Sequence, residues 1–200
     1  MLHIKNFIGK NVIPCVIAEK FGKRFREFVA PFTVFLYKHG IKPNFITTLG
    51  LVLLPVAIYS IIFLHNRWLF LALFIIISFL DALDGAIAKN CGHVTKFGGF
   101  YDSFVDRVVE GTIYLSLAIA YEELYILCFI ALLSSYLTSY IASWERSVKY
   151  TGIGSRAERM VVLIIAIALN QLFYGLIIIT ILSIITIFER SWQIYKKFRL

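Results

Sequence analysis

A chain of 200 residues that is 60% hydrophobic and 16% charged, with a mean hydropathy of +0.81, lies far outside the soluble globular class. Its net charge of +8 reads as attraction to an anionic membrane surface, and so apolar a composition argues against nucleic acid as a partner. Long charge-free runs without period-2 alternation disfavour a β-barrel, which leaves an all-α integral membrane protein.

Residues 1–42 read as an interfacial segment. Lys5, Lys10, Lys20, Lys23, Arg24 and Arg26 are strewn through it instead of preceding an apolar run and a small-residue cleavage site, so it is expected to stay attached. Ile17, Phe21, Phe25 and Val29 recur every four residues with the cations elsewhere, which predicts an N-terminal amphipathic helix lying on anionic headgroups. Pro43 punctuates the chain, and six transmembrane helices are expected over 43–192. The first runs from Asn44 to Leu64 and the second from Trp68 to about Lys89. After a polar loop from Asn90 to Lys96, the third runs from Phe97 to Tyr121. The fourth covers Leu124 to Tyr150, so that Glu145, Arg146 and Lys149 ride on its last turns. Ser155 and Glu158 have capping-box spacing and predict a new helix start. The charge-free run from Met160 to Phe188 is too long for one ordinary span, and Asn170, Gln171 and Gly175 offer a break that makes it two passes. A basic tail, 193–200, closes the chain.

Charge bias supports that count. With both termini cytoplasmic, every one of the 20 Lys and Arg residues except Arg67 lies on or towards the cytoplasmic side, whereas five spans would send Arg190, Lys196, Lys197 and Arg199 to the wrong face. Cys15, Cys91 and Cys128 are widely spaced and imply no disulfide framework.

Four aspartates break the apolar pattern. A carboxylate at mid-membrane costs about 2.5–3.5 kcal/mol on insertion scales, so Asp81, Asp84, Asp102 and Asp106 need partners. Asp81, Asp84, Gly85 and Ala88 share one helix face, and Gly98, Asp102 and Asp106 follow at steps of four on the next helix. The short intervening loop predicts two antiparallel neighbours with their carboxylates converging near the cytoplasmic ends. Hard divalent cations, Mg²⁺ or Mn²⁺, suit such oxygen ligands, and two of them could clamp a diphosphate. Lys89 and Lys96 add positive charge for an anionic substrate, and Gly85, Ala88 and Gly98 leave room against backbone.

The spacing Asp81-x-x-Asp84-Gly85-x-x-Ala88-Lys89, then eight residues, then Gly98-x-x-x-Asp102-x-x-x-Asp106 resembles the signature of the CDP-alcohol phosphotransferase family, with Lys89 where the family usually has Arg. Lys42-Pro43-Asn44-x-x-Thr47 is similar to the segment that opens the family's first span. The resemblance implies a six-helix membrane fold, a homodimer, and transfer of a phosphoalcohol from a CDP-linked donor to an alcohol with release of CMP. It also implies that Asp81, Asp84 and Asp102 bind the metals, with Asp106 near a metal and serving as the base. Asn44, Thr47, Asp84, Gly85, Ala88, Lys89 and Gly98 would receive the nucleotide.

The stretch from Tyr140 to Arg159 bears on the acceptor. Arg146 and Lys149 precede a helix start that carries Arg156 and Arg159, and cations at a helix N-terminus suit a phosphate dianion. Positive-inside topology alone would also place cations there. Arg156-Ala157-Glu158-Arg159 resembles the inositol-phosphate branch of the family, the archaetidylinositol and phosphatidylinositol phosphate synthases. The implied reaction joins a phosphatidyl or archaetidyl group from a CDP-linked lipid to inositol 1-phosphate, a phosphorylated polyol. A di-inositol phosphate synthase using CDP-inositol, or a glycerol 3-phosphate acceptor, would use similar cations. A cation transporter is the competing class, but it needs a second polar cluster near the outer face, and the first spans offer none.

Overall fold

The computed structural model describes residues 22–149 and 151–199. Of the sequence expectations, those on Lys5, Lys10, Cys15, Ile17, Lys20, Phe21, Tyr150 and Leu200 lie outside the described residues. Among the described residues there is no strand, and the order is α1 (Gly22–Lys38), α2 (Pro43–Ile62), α3 (Arg67–Asn90), α4 (Lys96–Ala120), α5 (Tyr125–Trp144), α6 (Arg156–Ala168) and α7 (Leu172–Arg199).

Local chemistry sets the helix ends. Pro43 begins α2, where its fixed φ suits the first turn and its missing N–H costs nothing. Asn66 caps α3 by accepting from the Leu69 N–H at 3.0 Å, and Thr95 caps α4 by accepting from Gly98 at 2.9 Å. Glu158 Oε2 accepts from the Ser155 N–H at 2.8 Å, so α6 starts at the expected place. The run from Met160 to Phe188 divides at Asn170, whose φ of 58° is one that Asn tolerates better than most residues. Beside that turn Gly175 packs so closely on Ala166 that a methyl group there would strike it, which draws α6 and α7 together.

Two expectations about helices need correction. The fourth does not reach Tyr150: α5 stops at Trp144, Glu145 takes an extended conformation, and Arg146–Val148 is a separate 3₁₀ turn. Glu145 is held by one local and one distant bond: its Oε1 accepts from the Ser147 N–H at 3.0 Å while Oε2 accepts from Lys197 Nζ of α7 at 2.6 Å. Nor do α3 and α4 pack along one another. Instead α2 lies against both, α6 leans on α3, and α5 joins α4 to α7. The aspartates of α3 and α4 therefore approach one another through their side chains and not through direct packing of the two helices.

Phe70, Phe74, Ile113, Tyr114, Leu117, Leu163, Leu176 and Ile179 fill the core. Among the described residues, four segments are long and apolar enough to cross a membrane: Pro43–Ile62, Arg67–Asn90, Glu122–Trp144 and Leu172–Arg199. The helix α4 has 25 residues but carries Lys96, Asp102, Asp106, Arg107 and Glu110. The helix α6 has 13 residues, about 20 Å at 1.5 Å per residue. The described part of the N-terminal segment is α1, which packs on α3: Val29 and Thr33 are buried, Phe25 meets Phe79 edge-on at 6.0 Å, and Asn90 donates to the Arg26 carbonyl at 3.1 Å.

Candidate active site

Asp81 and Asp84 lie on α3, three residues apart on one face, but the structure gives them different partners. Carboxylate oxygens of Asp81, Asp102 and Asp106 all lie within 4.8 Å of one another. Asp84, 3% exposed, turns towards α2 and accepts from Thr47 Oγ1 at 2.5 Å. Thr47, expected beside a nucleotide, thus orients an aspartate in this structure. Three hard oxygen donors so close together fit a divalent cation in kind and spacing. Such an ion would neutralise charge on bridging phosphate oxygens.

The cation already among these carboxylates is Arg156, from the first turn of α6. Its Nη1 lies 2.8 Å from Asp81 Oδ2 and 2.7 Å from Asp106 Oδ1, so one guanidinium nitrogen joins α3 and α4 to α6. Arg107 Nη1 adds a longer contact of 3.6 Å to Asp106. Ile46, Thr47, Gly50, Ile77 and Val105 complete the walls of the hollow above the carboxylates.

The glycines around the hollow differ in what they face. A side chain at Gly85 would meet nothing within 4 Å, so this part of the α3 face is open. At Gly98 a Cβ would lie 2.8 Å from Thr95 Oγ1 and 3.3 Å from Asn44 Oδ1, so its absence lets the α4 cap and the start of α2 meet. Asn44 and Gly98 thus meet where α2 and α4 begin, while on α3 Ala88 is half-buried and Lys89 is exposed at the helix end. Lys89 lies within electrostatic reach of Arg26, Lys149 and Asp102.

On the acceptor side the expected cations separate into different environments. Lys149 is exposed, and Arg146 opens the 3₁₀ turn. Arg159 is not open to a ligand: it is 1% exposed and its guanidinium is committed, through Nε and Nη2 to Glu110 Oε1 at 3.2 and 2.8 Å, and through Nη1 to Thr138 Oγ1 at 2.9 Å and the Gly154 carbonyl at 2.7 Å. The reason is Glu110, a fully buried carboxylate that needs a charge partner.

Sequence reading missed three residues here. Glu110 continues the Asp102, Asp106 stripe by one more step of four, a signal that was present in the spacing. Thr138 links two arginines, giving its hydroxyl to Arg159 and its carbonyl to Arg190 Nη1 at 2.6 Å. Arg190, placed by sequence among surface charges, is buried and also donates to the carbonyls of Thr151 at 3.0 Å and Lys149 at 3.1 Å. It thereby holds the connector that leads to α6.

Comparison with known proteins agrees with the signature. Residues 41–188 match the family model described as CDP-alcohol phosphatidyltransferase. The archaetidylinositol phosphate synthase of Pyrococcus horikoshii is 34% identical over 79% of this chain and 86% of its own length. The phosphatidylinositol phosphate synthase of Streptomyces avermitilis is 29% identical over 79% of this chain and 70% of its own. Crystal structures of the Mycobacterium tuberculosis phosphatidylinositol phosphate synthase share the fold at 23% identity. The form with CDP-DAG bound has a TM-score of 0.70, covering 82% of this chain and 92% of that one, and the complex with manganese and citrate has a TM-score of 0.72, covering 84% and 88%. The chain belongs to the CDP-alcohol phosphatidyltransferase family, as a helical membrane enzyme with a carboxylate cluster suited to a divalent cation.

Proposed function

We propose that this protein transfers a phosphatidyl or archaetidyl group from a CDP-linked lipid to inositol 1-phosphate, releasing CMP. The observation that carries the reading is the meeting of Asp81, Asp102 and Asp106 with Arg156 at the start of α6: a site for cations and diphosphate adjoins cations that suit a second phosphate. The names of the Pyrococcus and Streptomyces relatives support the same acceptor.

In this reading Asp81, Asp84, Asp102 and Asp106 hold two Mg²⁺ or Mn²⁺ ions, which would supply charge stabilisation at the diphosphate and at the departing phosphate oxygen. The nucleotide lies along Asn44, Gly85, Ala88, Lys89 and Gly98, with Thr47 setting the Asp84 carboxyl beside it. Asp106 takes the proton of the acceptor hydroxyl as that oxygen bonds to the β-phosphorus. The bond from this phosphorus to the bridging oxygen breaks, and CMP departs with the electron pair. Arg146, Lys149 and Arg156 would supply positive charge to the acceptor's own phosphate, with Arg159 buried one turn further along α6. The six-helix bundle, 43–192, is part of one domain with the interfacial segment 1–42 and the basic tail 193–200, and it crosses the membrane six times, α4 and α6 being two of the spans, with the site and both termini cytoplasmic. It works as a homodimer.

The test is CMP release by purified protein with Mg²⁺, pairing CDP-archaeol or CDP-diacylglycerol with inositol 1-phosphate, inositol, glycerol 3-phosphate or serine, and CDP-inositol with inositol 1-phosphate. Turnover is expected for a CDP-lipid with inositol 1-phosphate. Preference for another acceptor would discard the acceptor assignment, and ion flux in sealed vesicles without CMP would discard the enzyme reading.

A further inference from the structure

One buried ion pair lies just beyond the carboxylate cluster. Glu110 is one turn past Asp106 on α4, and Arg159 is one turn past Arg156 on α6, so the two helices meet at two successive levels. At the outer level Arg156 reaches Asp106 at 2.7 Å, and at the inner level Arg159 reaches Glu110 at 2.8 Å. The inner pair is closed to water, with side-chain exposures of 1% and 0%. Arg159 is fixed further by Thr138 and by the Gly154 carbonyl on the connector. The outer pair is partly exposed, 21% for Arg156 and 17% for Asp106.

We infer that Glu110 is a positioning residue: through Arg159 it sets the height and rotation of the first turn of α6, and so aims Arg156 at the oxygens of Asp81 and Asp106. A side chain of Arg length on a freely rotating turn would sample many positions, and holding it there costs rotamer entropy. An anchor three residues along the same helix face removes most of that freedom. Because Arg156 holds carboxylate oxygens that a cation would use, its placement also governs how tightly the cluster takes a divalent ion. This inference rests on the cation-binding reading of the aspartates, not on the identity of the acceptor.

The pair variant Glu110→Leu with Arg159→Met tests it. Exchanging both members leaves net charge unchanged and strands no buried ion, so the fold is expected to survive. Mn²⁺ affinity is measured by calorimetry on purified protein without substrate. Arg156→Ala should tighten Mn²⁺ binding by about tenfold, the scale on which one neighbouring charge acts on a carboxylate. The pair variant should tighten it severalfold, and adding the pair change to Arg156→Ala should change nothing further. An unchanged affinity in the folded pair variant, or effects that multiply in the triple variant, would overturn the positioning role. Wild-type protein that takes no Mn²⁺ would remove the cation reading of the aspartates and this inference with it. Glu110→Asp, which keeps the charge but shortens the reach, should lie between wild type and the pair variant.

Discussion

The bond between Thr47 and Asp84 allows a prediction whose size follows from burial. Thr47→Val keeps the shape of the side chain and removes the hydroxyl that lies 2.5 Å from Asp84 Oδ2. Asp84 is 3% exposed and Thr47 is 6% exposed, so water has little access to replace the lost donor. Leaving a buried acceptor without its partner costs about 1–3 kcal/mol. For a protein of this size each kcal/mol moves the melting temperature by about 2–4 °C, so Thr47→Val should lower it by roughly 2–12 °C. The hydroxyl also donates to the Pro43 carbonyl at 3.2 Å, a longer contact that other backbone arrangements can replace. A double-mutant cycle in detergent separates the two contributions. In an Asp84→Leu background Thr47→Val should cost less than about 0.5 kcal/mol, because the acceptor has gone. If the melting temperature falls equally in both backgrounds, the Asp84 bond is not what the hydroxyl contributes.

Asp106→Asn should lower kcat by about 10²–10⁴ while KM for the CDP-lipid changes little, as steady-state CMP release will report. Asp81→Asn and Asp102→Asn should each weaken Mn²⁺ binding, measured by calorimetry, by at least about tenfold, and near-wild-type affinity in both would place the ion elsewhere. Lys89→Arg should retain turnover, since the positive charge persists at an exposed helix end, and complete loss would mark the lysine as a specific adaptation. Outside the spans, the Lys197 ammonium and then the Ser147 N–H hold the Glu145 carboxyl down at about 2, against an ordinary 4.5. A depressed carboxyl contributes stability that is full above its unfolded value and is lost as pH falls, here between about 4.5 and 2. Lys197→Met should raise the Glu145 titration midpoint, read from its side-chain carbon shift in NMR.

Much of the bundle was legible because hydrophobic length and helix punctuation are local properties. Pro43, Asn66, Thr95, Ser155 and Glu158 sit where helices begin, and Asn170 sits where the last long run breaks. The aspartate stripes were legible for the same reason, since positions at steps of three and four share a face whatever surrounds them. Partners were not. Nothing in the spacing of Asp84 reveals that one of its carboxylate oxygens accepts from Thr47, thirty-seven residues earlier. Arg159 read as a ligand for the acceptor phosphate and Arg190 as one more cytoplasmic-side cation because their acceptors, Glu110, Thr138 and the carbonyls of Lys149, Thr151 and Gly154, come from other elements.

Among α2 to α7, the two helices least suited by composition or length to a membrane, α4 and α6, supply Asp102, Asp106 and Arg156 to the site, beside Asp81 and Asp84 of α3. Asp102, Asp106 and Glu110 put charge along one face of α4, and the 13 residues of α6 begin with Arg156 already level with Asp81 and Asp106. A full-length apolar α6 would carry its N-terminus past the carboxylates and leave them without that cation. The pairing works in both directions: Asp106 and Glu110 of α4 each meet an arginine of α6, so these charges do not face hydrocarbon alone. Apolar length gives way in these helices where the chemistry requires charge, and the four helices long and apolar enough to cross a membrane supply the hydrophobic frame that tolerates it.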